Sequence, residues 1–158
     1  MANTQSMCTS FMGELMTATH NFGTAPTRGT SAADTFKGAL YLASATYNAS
    51  TTAYSATGEV SGTNYTAGGV TVTNATAPTA TNSSATAGVA YWNPSASITY
   101  SNVTLSTAFD AVLIYNSSQS NKAVSVHTFG SQTITAGTFT LTMPSNTTST
   151  ALLRLSTT

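Results

Sequence analysis

Phe109-Asp-Ala-Val-Leu-Ile-Tyr115 is apolar at every position except Asp110, and Ala123-Val-Ser-Val-His-Thr-Phe129 follows it across the polar run Asn116-Ser-Ser-Gln-Ser-Asn121. Successive side chains of a strand point to opposite faces, so a stretch apolar at nearly every position describes a strand covered on both sides. In the second stretch Val124 and Val126 share one face, and Ser125, His127 and Phe129 the other. The residues between are turn formers. Residues 109–129 therefore read as a β-hairpin with a central first strand, and this hairpin sets the fold class.

Working outward, period-two patterning recurs. Phe36, Gly38, Leu40 and Leu42 alternate with Lys37, Ala39, Tyr41 and Ala43, which predicts a strand with one buried side after Asp34. Thr46–Ser61 reads as a long excursion with a short extended piece at Glu59-Val60. Gly68-Gly69 marks a turn into Val70–Thr73. Val89–Trp92 is a short apolar run ended by Asn93-Pro94, and Ile98, Tyr100, Val103 and Leu105 alternate with polar residues. Beyond the hairpin, Gly130-Ser-Gln132 and Ala136-Gly137 read as turns separating Thr133–Thr135 from Thr138–Met143, and Ala151–Leu155 is a last strand. Gly23–Ala33 and Ala77–Thr86 read as loops. Eight or nine short strands at this spacing predict an all-β protein, a single β-sandwich or jelly-roll-like domain of about eight strands over residues 24–158.

Residues 1–23 read differently. Met1–Cys8 has the look of an unstructured arm. Phe11, Met12, Leu15 and Met16 fall on one face of a helix, with Ser10 as its cap and Glu14 in its first turn. About two turns are expected, ending near His20 or Gly23. The apolar face formed by Phe11, Met12, Leu15 and Met16 either anchors the chain on a neighbouring subunit or covers an open face of its own sandwich.

Composition narrows the function. The chain of 158 residues carries eight charged side chains: Arg28, Lys37, Lys122, Arg154, Glu14, Asp34, Glu59 and Asp110. That is 5%, where an ordinary soluble domain has roughly 25%. Ser and Thr supply 55 residues and the net charge is zero. A nucleic-acid partner has no basic footprint to meet, and an anionic membrane has no polybasic segment. No signal peptide is legible in Met1–Met7, which predicts synthesis in a cytoplasm.

The residues that carry chemistry are scarce. Cys8 lies in the arm; His127 sits on a strand face and His20 follows the helix. With those three as the nitrogen and sulfur donors, and with the four acids dispersed along the chain, neither a zinc nor a calcium site is expected. No Gly-x-Ser-x-Gly elbow occurs. No enzyme and no cofactor are expected. The acids read as solvated surface, with Lys37 and Arg154 as candidate partners; Asp110, opening the most apolar strand, needs a satisfied environment. Tyr91 and Trp92 form either a sugar-stacking platform or packed aromatic core.

Charge depletion with enrichment in Tyr, Phe and Met is the bias of a surface meant to be covered. Of a structural subunit of a large assembly, a glycan- or receptor-binding module and an enzyme, the inventory favours the first. The stretches Cys8-Thr-Ser-Phe-Met-Gly-Glu-Leu-Met16, Asp34-Thr-Phe-Lys-Gly-Ala-Leu-Tyr-Leu42, Thr52-Ala-Tyr-Ser-Ala-Thr-Gly-Glu-Val60, Tyr65-Thr-Ala-Gly-Gly-Val70 and Asn121-Lys-Ala-Val-Ser-Val-His-Thr-Phe129 resemble a family of small tailed-bacteriophage virion structural proteins. The resemblance implies a virion component, with a capsid decoration (cement) protein on the capsid exterior as the favoured role. The major capsid protein and copies of the chain itself are the partners expected for that role. A tail, neck or head-fibre component binding a host-surface glycan or receptor is the alternative.

Overall fold

The hairpin expected at 109–129 is present and far longer than its apolar centre. β6 (Ile98–Asn116) runs into β7 (Lys122–Leu141) through a turn in which Ser120 and Asn121 adopt left-handed backbone conformations. The computed structural model describes residues 2–16, 18–22, 33–73, 77–81 and 88–156. Around the hairpin lie β1 (Ser6–Met7), α1 (Thr9–Met16), β2 (Phe36–Leu42), β3 (Val70–Val72), β4 (Thr79–Ala80), β5 (Val89–Trp92) and β8 (Leu153–Ser156). One antiparallel sheet has the order β1-β7-β6-β2-β3 and a second the order β4-β5-β8. The chain is thus an all-β sandwich with a short N-terminal helix.

The ribbon is bent back on itself. In a straight strand Ile98 and Val112 would lie about 46 Å apart, at a rise of about 3.3 Å per residue. Both instead come up to Gly38, where an added Cβ would stand 3.3 Å from Val112 Cγ2 and 3.5 Å from Ile98 Cγ2. Register shifts between Tyr100 and Val103, Val103 and Leu105, Leu105 and Phe109, and Phe109 and Ala111 supply the bending, since each extra residue kinks and twists the ladder. Asn102 and Ala136 sit there with φ of 53° and 46°. Phe109, Phe129 and Phe139 fill the region of the bend, with Phe139 5.1 Å from each of the other two rings. Tyr100 then reaches between the layers and donates to the Gly38 carbonyl at 2.8 Å.

This bend corrects several boundaries. The segments expected as separate strands at 98–105 and 133–143 belong to β6 and β7, except that β7 ends at Leu141, short of Met143. Gly130-Ser-Gln132 and Ala136-Gly137 lie within β7, in the stretches where the register shifts, and do not end strands. Most of the loop expected at 23–33, with Arg28, and part of that at 77–86 lie outside the described residues; the described part of the latter includes β4, paired with β5.

β2 was expected to bury one side and buries both. Phe36, Gly38, Ala39, Leu40 and Tyr41 are all buried. Gly38 faces the folded-back ribbon, while Tyr41 is covered by the excursion that follows, its ring 3.7 Å from that of Tyr47 and its hydroxyl donating to Ser55 O at 2.6 Å.

The N-terminal arm is not free. β1 pairs with Ser125–Val126 of β7, Thr4 N–H donates to Tyr47 O, and the Asn3 side chain accepts from Tyr47 N–H and donates to Leu42 O. α1 starts at Thr9 rather than after Ser10 and stops at Met16, short of His20, so Glu14 lies in its second turn.

Gly69 shows how tightly the turn into β3 meets β2. Its φ is +71° and a Cβ there would stand 1.7 Å from Gly38 O. Gly69→Ala is expected to lower the unfolding free energy by more than about 2 kcal/mol. Gly130→Ala, with nothing within 4 Å of the added Cβ, should leave the urea midpoint nearly unchanged, and equal midpoints for the two variants would contradict this packing.

Candidate functional site

The hairpin turn brings together residues remote in sequence. Asn116 ends β6, Lys122 opens β7, Asp34 precedes β2, and Glu14 and His20 come from α1 and the segment after it. Lys122 Nζ donates to Glu14 Oε1 at 2.7 Å and His20 Nε2 lies 2.6 Å from Glu14 Oε2. Asn116 Nδ2 donates to Asp34 Oδ2 at 2.7 Å and approaches His20 Nδ1 at 3.1 Å, while its Oδ1 accepts from Ser118 N–H. Those neighbours fix the direction of every bond: the amide NH2 must face the Asp34 carboxylate, so His20 Nδ1 accepts and Nε2–H donates to Glu14. Asp34 also accepts from Gln119 and from Asn21 N–H.

His20 is 8% exposed, with Phe11 edge-on at 4.8 Å and Phe36 stacked at 6.4 Å. Burial holds its imidazole below the ordinary value, outweighing the pull of Glu14. Burial opposes ionisation of Glu14, but the hydrogen bonds from Lys122 and His20 outweigh it and hold that carboxyl below its usual range.

A second hub stands at Glu59. Its carboxylate accepts from Tyr54 Oη, Tyr65 Oη and Gly68 N–H, each at 2.7 Å. Tyr65 Oη in turn accepts from Leu40 N–H at 3.0 Å, and Tyr115 Oη donates to Gly68 O at 2.8 Å. Neutral donors thus solvate this anion and tie the 54–69 excursion to β2 and β6. Asp110 takes its satisfying bond from Asn3 Nδ2 at 2.6 Å, which fastens the arm.

Glu14, Asp34 and Glu59 are therefore not the solvated surface that the sequence suggested, and Asp110 has the satisfied environment expected of it; none of the four acids is fully exposed. Asp34 is held by Asn21, Asn116 and Gln119, and it is Lys122 that pairs with a carboxylate, at Glu14. Arg154 is exposed and its guanidinium reaches Thr148 O at 3.5 Å.

The residues expected at an interface also turn inward. Phe11 is 2% exposed in the core, and Leu15 is half-buried. The side chains of Met12 and Met16 lie outside the described residues. Trp92, at 3% exposed, packs against Phe22 at 4.8 Å, so no sugar can stack on it as the molecule stands. Tyr91 is half-buried and joins Met7, Phe11, Leu15, Phe22 and Trp92 around an apolar cavity near α1.

His127 approaches Ser125 Oγ through Nε2 at 2.8 Å, and burial pushes its imidazole down to about 4. Ser125 is 1% exposed and His127 half-buried, and both stand in the wall of an open groove with Ser6, Pro144 and Thr150. Cys8 is fully buried and burial pushes its thiol up to about 11, the condition of an inert thiol. Among the described residues no group of three or more His, Cys, Asp or Glu is placed to hold a metal ion. No protein-family model, no curated protein and no solved structure matches the chain.

The hubs give two expectations. Glu59→Ala leaves the Gly68 N–H and two tyrosine hydroxyls without their acceptor and should cost about 3 kcal/mol of stability; Glu59→Gln keeps an oxygen for Tyr65 and Gly68 and should cost about 1 kcal/mol in the same urea titration. Acid should also destabilise the fold. His20 and His127 titrate lower folded than unfolded, so the unfolded chain binds more protons once pH falls below about 6.5. Glu14, held low in the fold, adds a loss in the same direction at lower pH. The urea midpoint should fall from about pH 6.5 and the His127 share should be complete near pH 4. His127→Gln should flatten that slope, and a midpoint constant across the range would refute the assignment.

Proposed function

We propose that this protein is a non-enzymatic structural subunit of a tailed-bacteriophage particle, a decoration protein on the capsid exterior that binds the major capsid protein by surface contact. The observation that carries this reading is the division of its polar groups. The carboxylates are drawn inward as hydrogen-bond hubs, while the outward positions of the long ribbon (Ser101, Ser106, Thr107, Ser131, Thr133, Thr135, Thr138 and Thr140) are exposed and bear hydroxyls without charge. Such a surface docks through van der Waals and hydroxyl contacts with little salt dependence. Many copies bound at repeated junctions would each lower the free energy of the closed shell. The resemblance of five stretches to phage virion proteins points the same way.

On this reading the docking surface is the ribbon rather than residues 1–20. An anchor built from Phe11 and its helical neighbours would have to leave the domain's own core, so residues 1–20 serve as part of the fold and the ribbon is the face offered to a partner. Mass spectrometry of purified particles should find the protein at a copy number far above that of a tail or neck ring, and its binding to stripped heads should change little with salt. Absence from particles, a ring-like copy number or steep salt dependence would overturn the reading. Deleting residues 1–20 should unfold the isolated protein, not merely detach a folded one.

A further inference from the structure

We propose that the outer edge of β7, centred on Thr138–Leu141, is a self-association edge that pairs antiparallel with the same edge of a second copy of this chain. β7 is bonded to β6 along one side throughout. On the other side its first residues are occupied: Lys122 and Ala123 meet Ala53 and Thr52, Val124 O accepts from Cys8 N–H, and Ser125–Val126 pair with β1. Along residues 128–141 that side has no backbone partner among the described residues.

A strand edge left open is a template for another strand, and natural proteins guard such edges with lysine, proline or inward charge. None of these guards is present: residues 123–153 contain no Lys, Arg, Asp or Glu, and no proline precedes Pro144. Register shifts bend the edge further up the ribbon, the last of them at Thr138, but Phe139–Leu141 follow it and pair in simple register with Ile98–Tyr100.

A second copy is the occupant that this edge fits by construction. A two-fold axis perpendicular to the sheet keeps face with face, so exposed Thr138 and Thr140 meet the hydroxyl face of the partner strand. Half-buried Phe139 and Leu141 are covered by their counterparts. Like charges opposite one another would forbid such pairing, and the edge has none. The pairing concerns the isolated chain and is tested apart from the capsid reading.

Sedimentation of the full chain over a concentration series should show a monomer–dimer equilibrium. The double variant Thr138→Lys with Thr140→Lys, and its counterpart with Glu at both positions, should each raise the dimer Kd about tenfold, and mixing the two should restore association. Hydrogen exchange read on the wild-type chain gives a measure independent of variant folding: amides of residues 128–141 should slow as concentration rises. A monomer at every concentration, a trimer, variants that pair as well as wild type, or protection of 128–141 only on adding phage heads would each overturn the proposal.

Discussion

The fold-back of the β6–β7 ribbon is the constraint on which the rest of the molecule depends. A hairpin of this length left straight would have one face in water along half its extent. Bent over, its far half becomes a second layer, and Ile98 and Val112 converge on Gly38. The bend needs bulges to release the ladder and bulky side chains to hold the new angle, and the phenylalanines at 109, 129 and 139 supply the second. The Gly38 face of β2 is buried because of it, while the excursion after β2 covers the Tyr41 face.

A chain with so few charges uses them internally. Glu14 collects hydrogen bonds from His20 and from distant Lys122, Asp34 from Asn21 and from distant Asn116 and Gln119, and Asp110 from distant Asn3, while Glu59 gathers Tyr54, Tyr65 and Gly68 of its own excursion. Hydrogen bonds to an ionised acceptor are the stronger kind. They pin the irregular segments, which have little apolar surface of their own. The exposed faces are left to serine and threonine, polar enough for water and neutral enough to be covered by another surface.

The same division bears on function. A protein whose ionisable groups are committed to its own loops offers a partner shape and hydroxyls, with Arg154 as an exposed charge. Its cysteine is buried. The proposed structural role rests on that pattern, with the ribbon as its proposed shared surface.

Alternation along 34–43 and 109–129 made the all-β class and the central hairpin legible, because a two-residue period survives whatever the strand packs against, and the helical spacing of Phe11, Met12, Leu15 and Met16 did the same for the short N-terminal helix. The need of Asp110 for a partner was legible too, since an acid in an apolar strand has few alternatives. The hubs were not: Glu14 and Lys122, or Asp34 and Asn116, lie far apart in the chain, and no local pattern announces such pairs. Gly130 and Ala136-Gly137 looked like turns because the same residues serve a turn and a bulge, and only the partner strand distinguishes them. Thus the sequence by itself determined which residues extend and which faces are apolar, both being properties of neighbours along the chain. Only the tertiary structure decided that the ribbon bends, that the acids point inward, and that Phe11 and Trp92 are core, because each depends on what a distant segment brings to the same place.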